Sequence, residues 1–205
     1  TIQSWTNTLS CINSLPITHL SLYNLTIEPD AAFFRREKQL KAMMPDQDTS
    51  AEMYALAQHH LQSAGFTQYE ISAFCKDNLY SRHNIGYWTG RHFYGMGPSA
   101  FSFDGNKRFR NVANLNRYCT LLAQNSSPID FEEPLDSKNR KKELLALEFR
   151  LLEGFNLTKF GQLEPDTLKA LHYLESVELI ERKNSHVRLS PKGILFYDTV
   201  ASELI

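Results

Sequence analysis

The residues best suited to chemistry are gathered in "SRHNIGYWTG", residues 81–90, where His83, Asn84, Tyr87 and Trp88 stand within six positions. A neutral imidazole coordinates iron well. Aromatic rings pack well against a large, flat, apolar molecule. The spacing fits two interpretations. One is a site that holds such a ligand; the other is a short helix that Asn84 caps, with His83 as an ordinary loop histidine.

A second segment, "YGMGPSAFSF" at 94–103, spaces glycines among aromatic residues. Gly95, Gly97 and the following Ser99 fit a backbone cradle, because glycine permits positive φ and close approach of a ligand. The same residues fit a tight connection between two elements, with Pro98 as a rigid corner. Both interpretations stay open at this stage.

The remaining histidines and cysteines offer no further site. His59 and His60 are adjacent, so on a helix they point to different faces and cannot chelate one ion. Cys11, Cys75 and Cys119 are isolated from one another. This spacing argues against a disulfide framework and against a self-contained zinc or iron–sulfur site, and it favours a reducing cytoplasm.

Composition limits the class of protein. The chain has 205 residues, 42% of them hydrophobic, and a formal net charge of −1. These values are typical of one large or two small globular domains, and they give no reason to expect nucleic acid as a partner. No apolar run reaches the length of a transmembrane helix, and the first residues do not read as a signal peptide.

The elements that position these residues begin with a predicted helix at 4–15, ended by Pro16, and a strand at 17–25. A helix that leads directly into a strand is typical of a βαβ unit, which predicts a parallel sheet. We expect His19, Ser21 and Tyr23 on one face, in a substrate cavity or hydrogen-bonded among strands. The expected first strand of that unit is absent, so the chain reads as a piece of a larger α/β domain.

Turn residues, caps and hydrophobic spacing predict the next elements. They are a loop with a short helix at 26–48, a helix at 50–64 capped by Thr49, a strand at 66–74, a hairpin at 99–113 turning at Asp104-Gly105, a helix at 114–124 and a polar linker at 124–134.

The C-terminal part is predicted to be a winged-helix-like module, with helices at 137–153 and 164–177, a hairpin at 179–182 and 187–189, and a last helix beginning at Pro191. Basic and acidic residues are equally numerous over 136–205. The module therefore lacks the basic face that phosphate contacts require, which disfavours DNA binding. A substrate lid or an interaction surface fits better.

Six segments occur in an order that resembles a known family. They are "THLSLYNLTIEP", "GFTQYEISAF", "HNIGYW", "YGMGPSAFSF", "RFRN" and "RLSPKG". Together they resemble the C-terminal portion of the oxygen-independent coproporphyrinogen III oxidase-like radical SAM proteins. Within that superfamily, the HNxxYW motif is the mark of the heme chaperone branch.

The resemblance implies an α+β fold. Residues 1–25 would supply the last helix and strand of a partial (β/α) barrel, followed by an α+β C-terminal domain. The implied divisions are a barrel remnant with its connecting helix and strand at 1–74, the HNxxYW and glycine-rich region at 75–130, and the winged-helix-like module at 131–205. The open edge of the strand at 17–25 favours self-association or fraying.

The resemblance also implies heme binding and hand-over of heme to acceptor hemoproteins in the cytoplasm; peripheral membrane association stays open. The implied heme-binding residues are His83, as ligand to the iron, with Asn84, Tyr87 and Trp88. A wider ligand pocket is implied at these positions: Tyr23, Thr26, Glu70, Gly95, Gly97 and Ser99.

Full-length relatives hold a 4Fe–4S cluster through a CxxxCxxC loop and bind S-adenosylmethionine. This sequence lacks that loop, so the chain is expected to be inactive by itself. Two rival functions remain: the coproporphyrinogen oxidase itself, an oxidoreductase of porphyrin biosynthesis, and a winged-helix interaction module.

Overall fold

A computed structural model describes residues 1–29 and 31–205 and separates the chain into two units, Thr1–Ser81 and Arg82–Ile205. Asp30, within the segment expected to be a loop with a short helix, lies outside the described residues. The three-part division expected from the sequence stays a prediction.

The first unit consists of helices and one small sheet. Its elements are α1 (Ile2–Ile12), β1 (His19–Ser21), a 3₁₀ turn (Ala32–Arg36), α2 (Glu37–Lys41), α3 (Gln47–Ser63), β2 (Thr67–Glu70) and β3 (Ala73–Cys75). The cap of α3 is Asp46, whose side chain accepts a hydrogen bond from the Thr49 amide at 2.8 Å. The predicted capping residue therefore lies inside the first turn.

The sheet of this unit has the order β1-β3-β2, and both pairs are antiparallel. The expected parallel sheet is wrong for the pairing seen in this chain, because the partner of β1 comes from a later hairpin. The expected strand at 66–74 is also wrong. The chain turns at residues 71–72, so β2 and β3 form a hairpin with an irregular register between Gln68 and Glu70. Leu61, Phe66 and Phe74 form the buried cluster beneath the sheet.

The second unit contains the HNxxYW segment. Its elements are α4 (Arg82–Trp88), β4 (Phe101–Phe103), β5 (Lys107–Asn111), α5 (Leu115–Ala123), β6 (Ile129–Pro134), α6 (Ser137–Glu148), β7 (Phe155–Asn156), a 3₁₀ turn (Leu157–Phe160), α7 (Pro165–Ser176), β8 (Ile180–Lys183), β9 (His186–Leu189), α8 (Pro191–Leu195) and α9 (Tyr197–Leu204).

The antiparallel sheet β4-β5-β6 confirms the predicted hairpin and corrects the predicted linker. Asp104 accepts hydrogen bonds from the amides of Asn106 and Lys107, which hold the pKa of its carboxyl below the usual range. The polar segment at 124–134 ends in β6, whose carboxylates pair with cations of β5, as in Lys107–Glu132 at 2.5 Å. These charges stabilise a strand whose composition resembles a loop.

The C-terminal elements follow the predicted order with different bounds. The first long helix stops at Glu148 rather than at 153. The predicted hairpin is confirmed, and β7 adds a third strand in the order β7-β9-β8. Gly154 is required next to β7, because its φ is +80° and a Cβ would lie 2.3 Å from the carbonyl oxygen of Val187. The last predicted helix is two helices, α8 and α9, that meet at Phe196.

The second unit contains a buried carboxylate whose effect on stability depends on its ion pair with a lysine. Glu148, at the end of α6, is 2% exposed, and the Lys159 ammonium pairs with its Oε1. Burial raises the pKa of Glu148, while the contact with Lys159 opposes this rise. Because the folded-state pKa lies above the unfolded value, protonation of Glu148 favours the folded state. The cost of the buried charge therefore falls as the pH drops through the folded pKa.

We predict that Lys159→Met lowers the free energy of unfolding at pH 7 by about 1–3 kcal/mol, because it leaves a buried carboxylate without its cation. The loss should shrink at lower pH, as Glu148 becomes protonated. It should also be smaller in a Glu148→Gln background. Urea unfolding followed by circular dichroism, at pH 7 and at a lower pH, measures the free energy of unfolding in both backgrounds. Lys169→Met, at an exposed position of α7, is the matched control. An equal loss at both pH values would contradict the role of the carboxylate.

Candidate functional site

The HNxxYW segment forms the short helix α4, which places His83 and Tyr87 one turn apart on the same face. Asn84 lies inside this helix and not at the position before it, so the interpretation of Asn84 as a cap is wrong. Gly90 follows the helix with φ +70°, and a Cβ there would lie 2.7 Å from Cδ1 of Leu144. Glycine thus allows the end of α4 to approach α6.

His83 is exposed, and its ring contacts Tyr87 in a T-shaped arrangement with 4.6 Å between the ring centres. Neither imidazole nitrogen has a hydrogen-bond partner within residues 1–29 and 31–205. A metal-binding nitrogen must be accessible, and the exposed His83 imidazole meets this condition without breaking a contact.

Tyr87 continues the aromatic cluster from His83 toward the sheet. Its ring makes a second T-shaped contact with Phe93, again with 4.6 Å between ring centres. Phe93 in turn exchanges two backbone hydrogen bonds with Phe103 of β4, at 2.9 and 2.8 Å. The contact with the sheet fixes Phe93, and Phe93 supports the face of α4 that carries His83.

A cavity of about 240 Å³ lies where α4, the sheet β4-β5-β6 and α6 meet. Its apolar lining includes Tyr87, Trp88, Phe93, Phe103, Leu135, Leu144 and Leu147. Its polar lining consists of Arg91, Arg108, Arg140 and Glu143. The volume is below the roughly 300–1,000 Å³ typical of pockets that enclose a whole ligand. The cavity therefore accommodates one edge of a large ring rather than the whole ring.

Trp88 has one contact that its sequence position does not reveal. The Arg150 guanidinium lies 4.2 Å from the centre of its ring and 5.0 Å from that of Tyr197, in α9. The indole N–H of Trp88 is buried and has no hydrogen-bond partner in the described part of the chain. Because the guanidinium covers part of the indole, Trp88 fastens α4 to the C-terminal helices as well as lining the cavity.

The glycine segment is held by hydrogen bonds within the unit. The amide of Gly95 donates to Ser102 Oγ at 2.9 Å, and the amide of Gly97 donates to the Tyr118 hydroxyl at 3.2 Å. Asn111 donates to both glycine carbonyl oxygens. Ser99, with φ +60°, donates its amide to Val112. The two glycine amides are thus occupied by protein groups, as expected for a tight connection.

The other pocket candidates lie in the first unit. Tyr23 and Thr26 are exposed in the irregular segment after β1, whereas Glu70 is buried at the end of β2. The Tyr69 hydroxyl bonds to His19 Nε2 at 2.9 Å. Burial raises the pKa of Tyr69, and the charges of Glu70 and Tyr23 add to the rise. The sequence left two roles open for the polar face of β1, a substrate cavity and hydrogen bonding among strands. The contact between His19 and Tyr69 fits the second role.

Sequence reasoning missed the arginines of the site. Arg91 lies three residues after the end of α4 and packs against Gly86, where a Cβ would lie 2.5 Å from Arg91 Nη2. Gly86, the glycine within "HNIGYW", was the sequence feature that could have indicated a closely packed neighbour at this position. Arg140 stands in the "KNRKK" run, which reads as a solvated basic stretch. Arg150 carried no signal of its own.

Two negative findings apply to residues 1–29 and 31–205. No group of three or more histidine, cysteine, aspartate or glutamate side chains is arranged to hold a metal ion there. None of the helices there is both long enough and apolar enough to cross a bilayer.

Comparison with known proteins gives a consistent result. Residues 135–196 match the model of the HemN C-terminal domain. The heme chaperone HemW of Mycobacterium tuberculosis is 32% identical over 92% of this chain and 48% of its own length. The heme chaperone HemW of Bacillus subtilis is 28% identical over 98% of this chain and 54% of its own length. The chain spans about half the length of these curated relatives.

A solved structure shares the fold. Coproporphyrinogen III oxidase (HemN) from Escherichia coli, a radical SAM enzyme, superimposes with a TM-score of 0.80 over 100% of this chain and 51% of its own, at 16% identity. The expected mixed α and β architecture is confirmed by this match. Residues 135–196 therefore match a HemN C-terminal domain, and nearly all of the chain is similar to about half of a HemW heme chaperone.

Proposed function

We propose that this chain binds heme through His83 and takes part in its transfer to acceptor hemoproteins. The observation that carries the proposal is the exposed imidazole of His83, whose nitrogens have no hydrogen-bond partner among the described residues. This imidazole is held by Tyr87 at the margin of an aromatic cavity. The names of the relatives, heme chaperones, agree with this chemistry.

The roles of the residues follow from their contacts. A neutral imidazole nitrogen of His83 coordinates the heme iron. Tyr87 fixes the orientation of that imidazole and presents an aromatic surface to the macrocycle, as Phe93 and Phe103 do deeper in the cavity. Trp88 shapes the cavity while Arg150 holds its indole. Asn84 lies within α4, between His83 and Tyr87.

Finer features of the fold are part of the same proposal. Residues 1–25 would belong to the end of a partial barrel in a longer protein, with Tyr23, Thr26 and Glu70 near its ligand cavity. The C-terminal elements from α6 to α9 would form the winged-helix-like module. We propose the cytoplasm as the compartment.

The cluster chemistry of the family does not fit the residues of this chain. A CxxxCxxC loop places three thiolates within eight positions. Here Cys75 is buried in β3, and Cys11 and Cys119 are isolated and exposed. We therefore derive no step that involves a 4Fe–4S cluster or S-adenosylmethionine, and assign both to a longer relative.

Coproporphyrinogen oxidase is the second candidate, favoured by the likeness in fold to the Escherichia coli enzyme. Fold alone does not carry activity, since one fold hosts many functions. The HNxxYW helix and its accessible histidine favour heme binding. Conversion of coproporphyrinogen by a longer protein containing this chain would favour the oxidase.

We expect no S-adenosylmethionine cleavage by the 205-residue chain, even after anaerobic reconstitution with iron and sulfide, because three isolated cysteines cannot supply the cluster ligands. The assay is chromatographic detection of 5′-deoxyadenosine. A relative that carries the CxxxCxxC loop, reconstituted in parallel, is the positive control. Product from the chain alone would refute this prediction.

His83→Ala should shift the Soret band of bound heme and weaken binding at least about tenfold, or ~1.4 kcal/mol, because an iron ligand is lost. His172→Ala, at an exposed helical position of the same unit, is the control and should leave both unchanged. Absorbance titration of the purified chain measures spectrum and affinity together. Identical spectra and affinities for the wild type and His83→Ala would reject the site.

Trp88→Leu should weaken heme binding while leaving the Soret position unchanged, because Trp88 packs but does not coordinate. It should also lower the free energy of unfolding by about 0.5–2 kcal/mol through the lost contact with Arg150. Trp5→Leu, in the first unit, controls for loss of a tryptophan. A Soret shift in Trp88→Leu equal to that of His83→Ala would show that the substitution acts by displacing α4.

A further inference from the structure

We propose that Arg91 and Arg140 bind the propionate carboxylates of heme at the cavity between α4, the sheet and α6. The inference rests on the proposed heme binding and adds to it the orientation of the macrocycle. The propionate edge enters the cavity, and the apolar part of the ring extends along the aromatic residues toward His83.

The lining of the cavity has a mixed character that suits such an edge. Its floor is aromatic and aliphatic, whereas three of its four charged residues are arginines. Heme combines a flat, apolar ring with two carboxylates on one side. A ligand without carboxylates would leave these arginines unused beside an apolar surface.

The charges of the three arginines are not equivalent. Arg108 is already paired, with Glu133 at 2.9 Å and Glu143 at 2.5 Å. Arg91 and Arg140 have no carboxylate partner among the residues that the structure describes. Glu143, the only acidic residue of the lining, is thus committed to Arg108, and two guanidinium charges remain for a ligand.

Arg91 is held in place by backbone contacts that leave most of its donors available. Its Nη2 donates to the carbonyl oxygen of Arg82 at 3.3 Å, and the guanidinium lies against Gly86. A guanidinium carries five N–H donors, so this single bond leaves room for a carboxylate. Because Arg82 and Gly86 lie one turn apart, Arg91 covers the face of α4 next to the one that bears His83 and Tyr87.

Arg140 reaches the cavity from the second turn of α6. Its guanidinium lies 5.8 Å from the centre of the Phe103 ring, and the side chain is half-buried. Its neighbours in sequence, Lys141 and Lys142, donate instead to the backbone oxygens of Gln162 and Ile205. Arg140 is therefore the member of the "KNRKK" run that turns toward the cavity.

Guanidinium groups suit this task because their planar fork matches the two oxygens of a carboxylate. Two such groups on different elements can each take one propionate. They fix the rotation of the ring about the bond between iron and imidazole, which a single axial ligand leaves free. Arg91 and Arg140 are in this sense orienting residues, and His83 is the ligand to iron.

The test compares heme with heme dimethyl ester, in which both carboxylates are masked, in absorbance titrations of the 205-residue chain. We expect Arg91→Gln and Arg140→Gln each to weaken heme binding about tenfold, the value of a charge-assisted contact. The Soret position should be unchanged, and affinity for the dimethyl ester should match that of the wild type. Arg140→Lys should recover part of the loss, and Arg117→Gln, exposed on α5, is the control.

Three outcomes would overturn the proposal. Equal losses for heme and its dimethyl ester would mean that the arginines act through packing and not through carboxylates. Unchanged heme affinity in both variants would place the propionates elsewhere. Absence of heme binding by the wild-type chain would remove the proposed function itself, which distinguishes that failure from the other two.

Discussion

The site depends on the tertiary contacts that hold a helix too short to be stable alone. A helix of seven residues, such as Arg82–Trp88, does not persist in water, because too few hydrogen bonds follow its costly first turn. Three contacts supply what the helix lacks. Tyr87 packs on Phe93, Trp88 lies under Arg150, and Gly90 lets the chain approach Leu144. The position of His83 is thus set by the sheet and by α6.

This dependence explains which parts of the fold the sequence predicted. Local signals were sufficient for the Asp104-Gly105 hairpin and for α7, because turn residues and helix spacing act within a few positions. They failed for β6 and for the pairing of β1. The partner of β6 lies 25 residues away in Arg108 and its neighbours, and its charged side chains resemble those of a loop. Strand pairing is a long-range property that no local window contains.

The residues of the candidate site also fall into those that the sequence could predict and those that it could not. His83, Tyr87 and Trp88 could be found because they stand together in one motif. The opposite wall of the cavity comes from α6, more than fifty positions later, and its Arg140 lies in a basic run that reads as solvated surface. The glycine segment fitted both a ligand cradle and a tight connection, and the sequence alone could not choose between them. The contacts with Ser102, Tyr118 and Asn111 fit a tight connection.

The placement of Trp88 gives the molecule an intrinsic optical probe. The chain contains two tryptophans, and each unit has one of them. Trp5 donates its indole N–H to the Met53 carbonyl oxygen at 2.7 Å, so its surroundings are fixed. Trp88 lines the cavity, and heme absorbs light in the range where tryptophan emits. If heme binds as proposed, energy transfer from Trp88 would therefore report how closely the porphyrin approaches this wall, without any label attached to the protein.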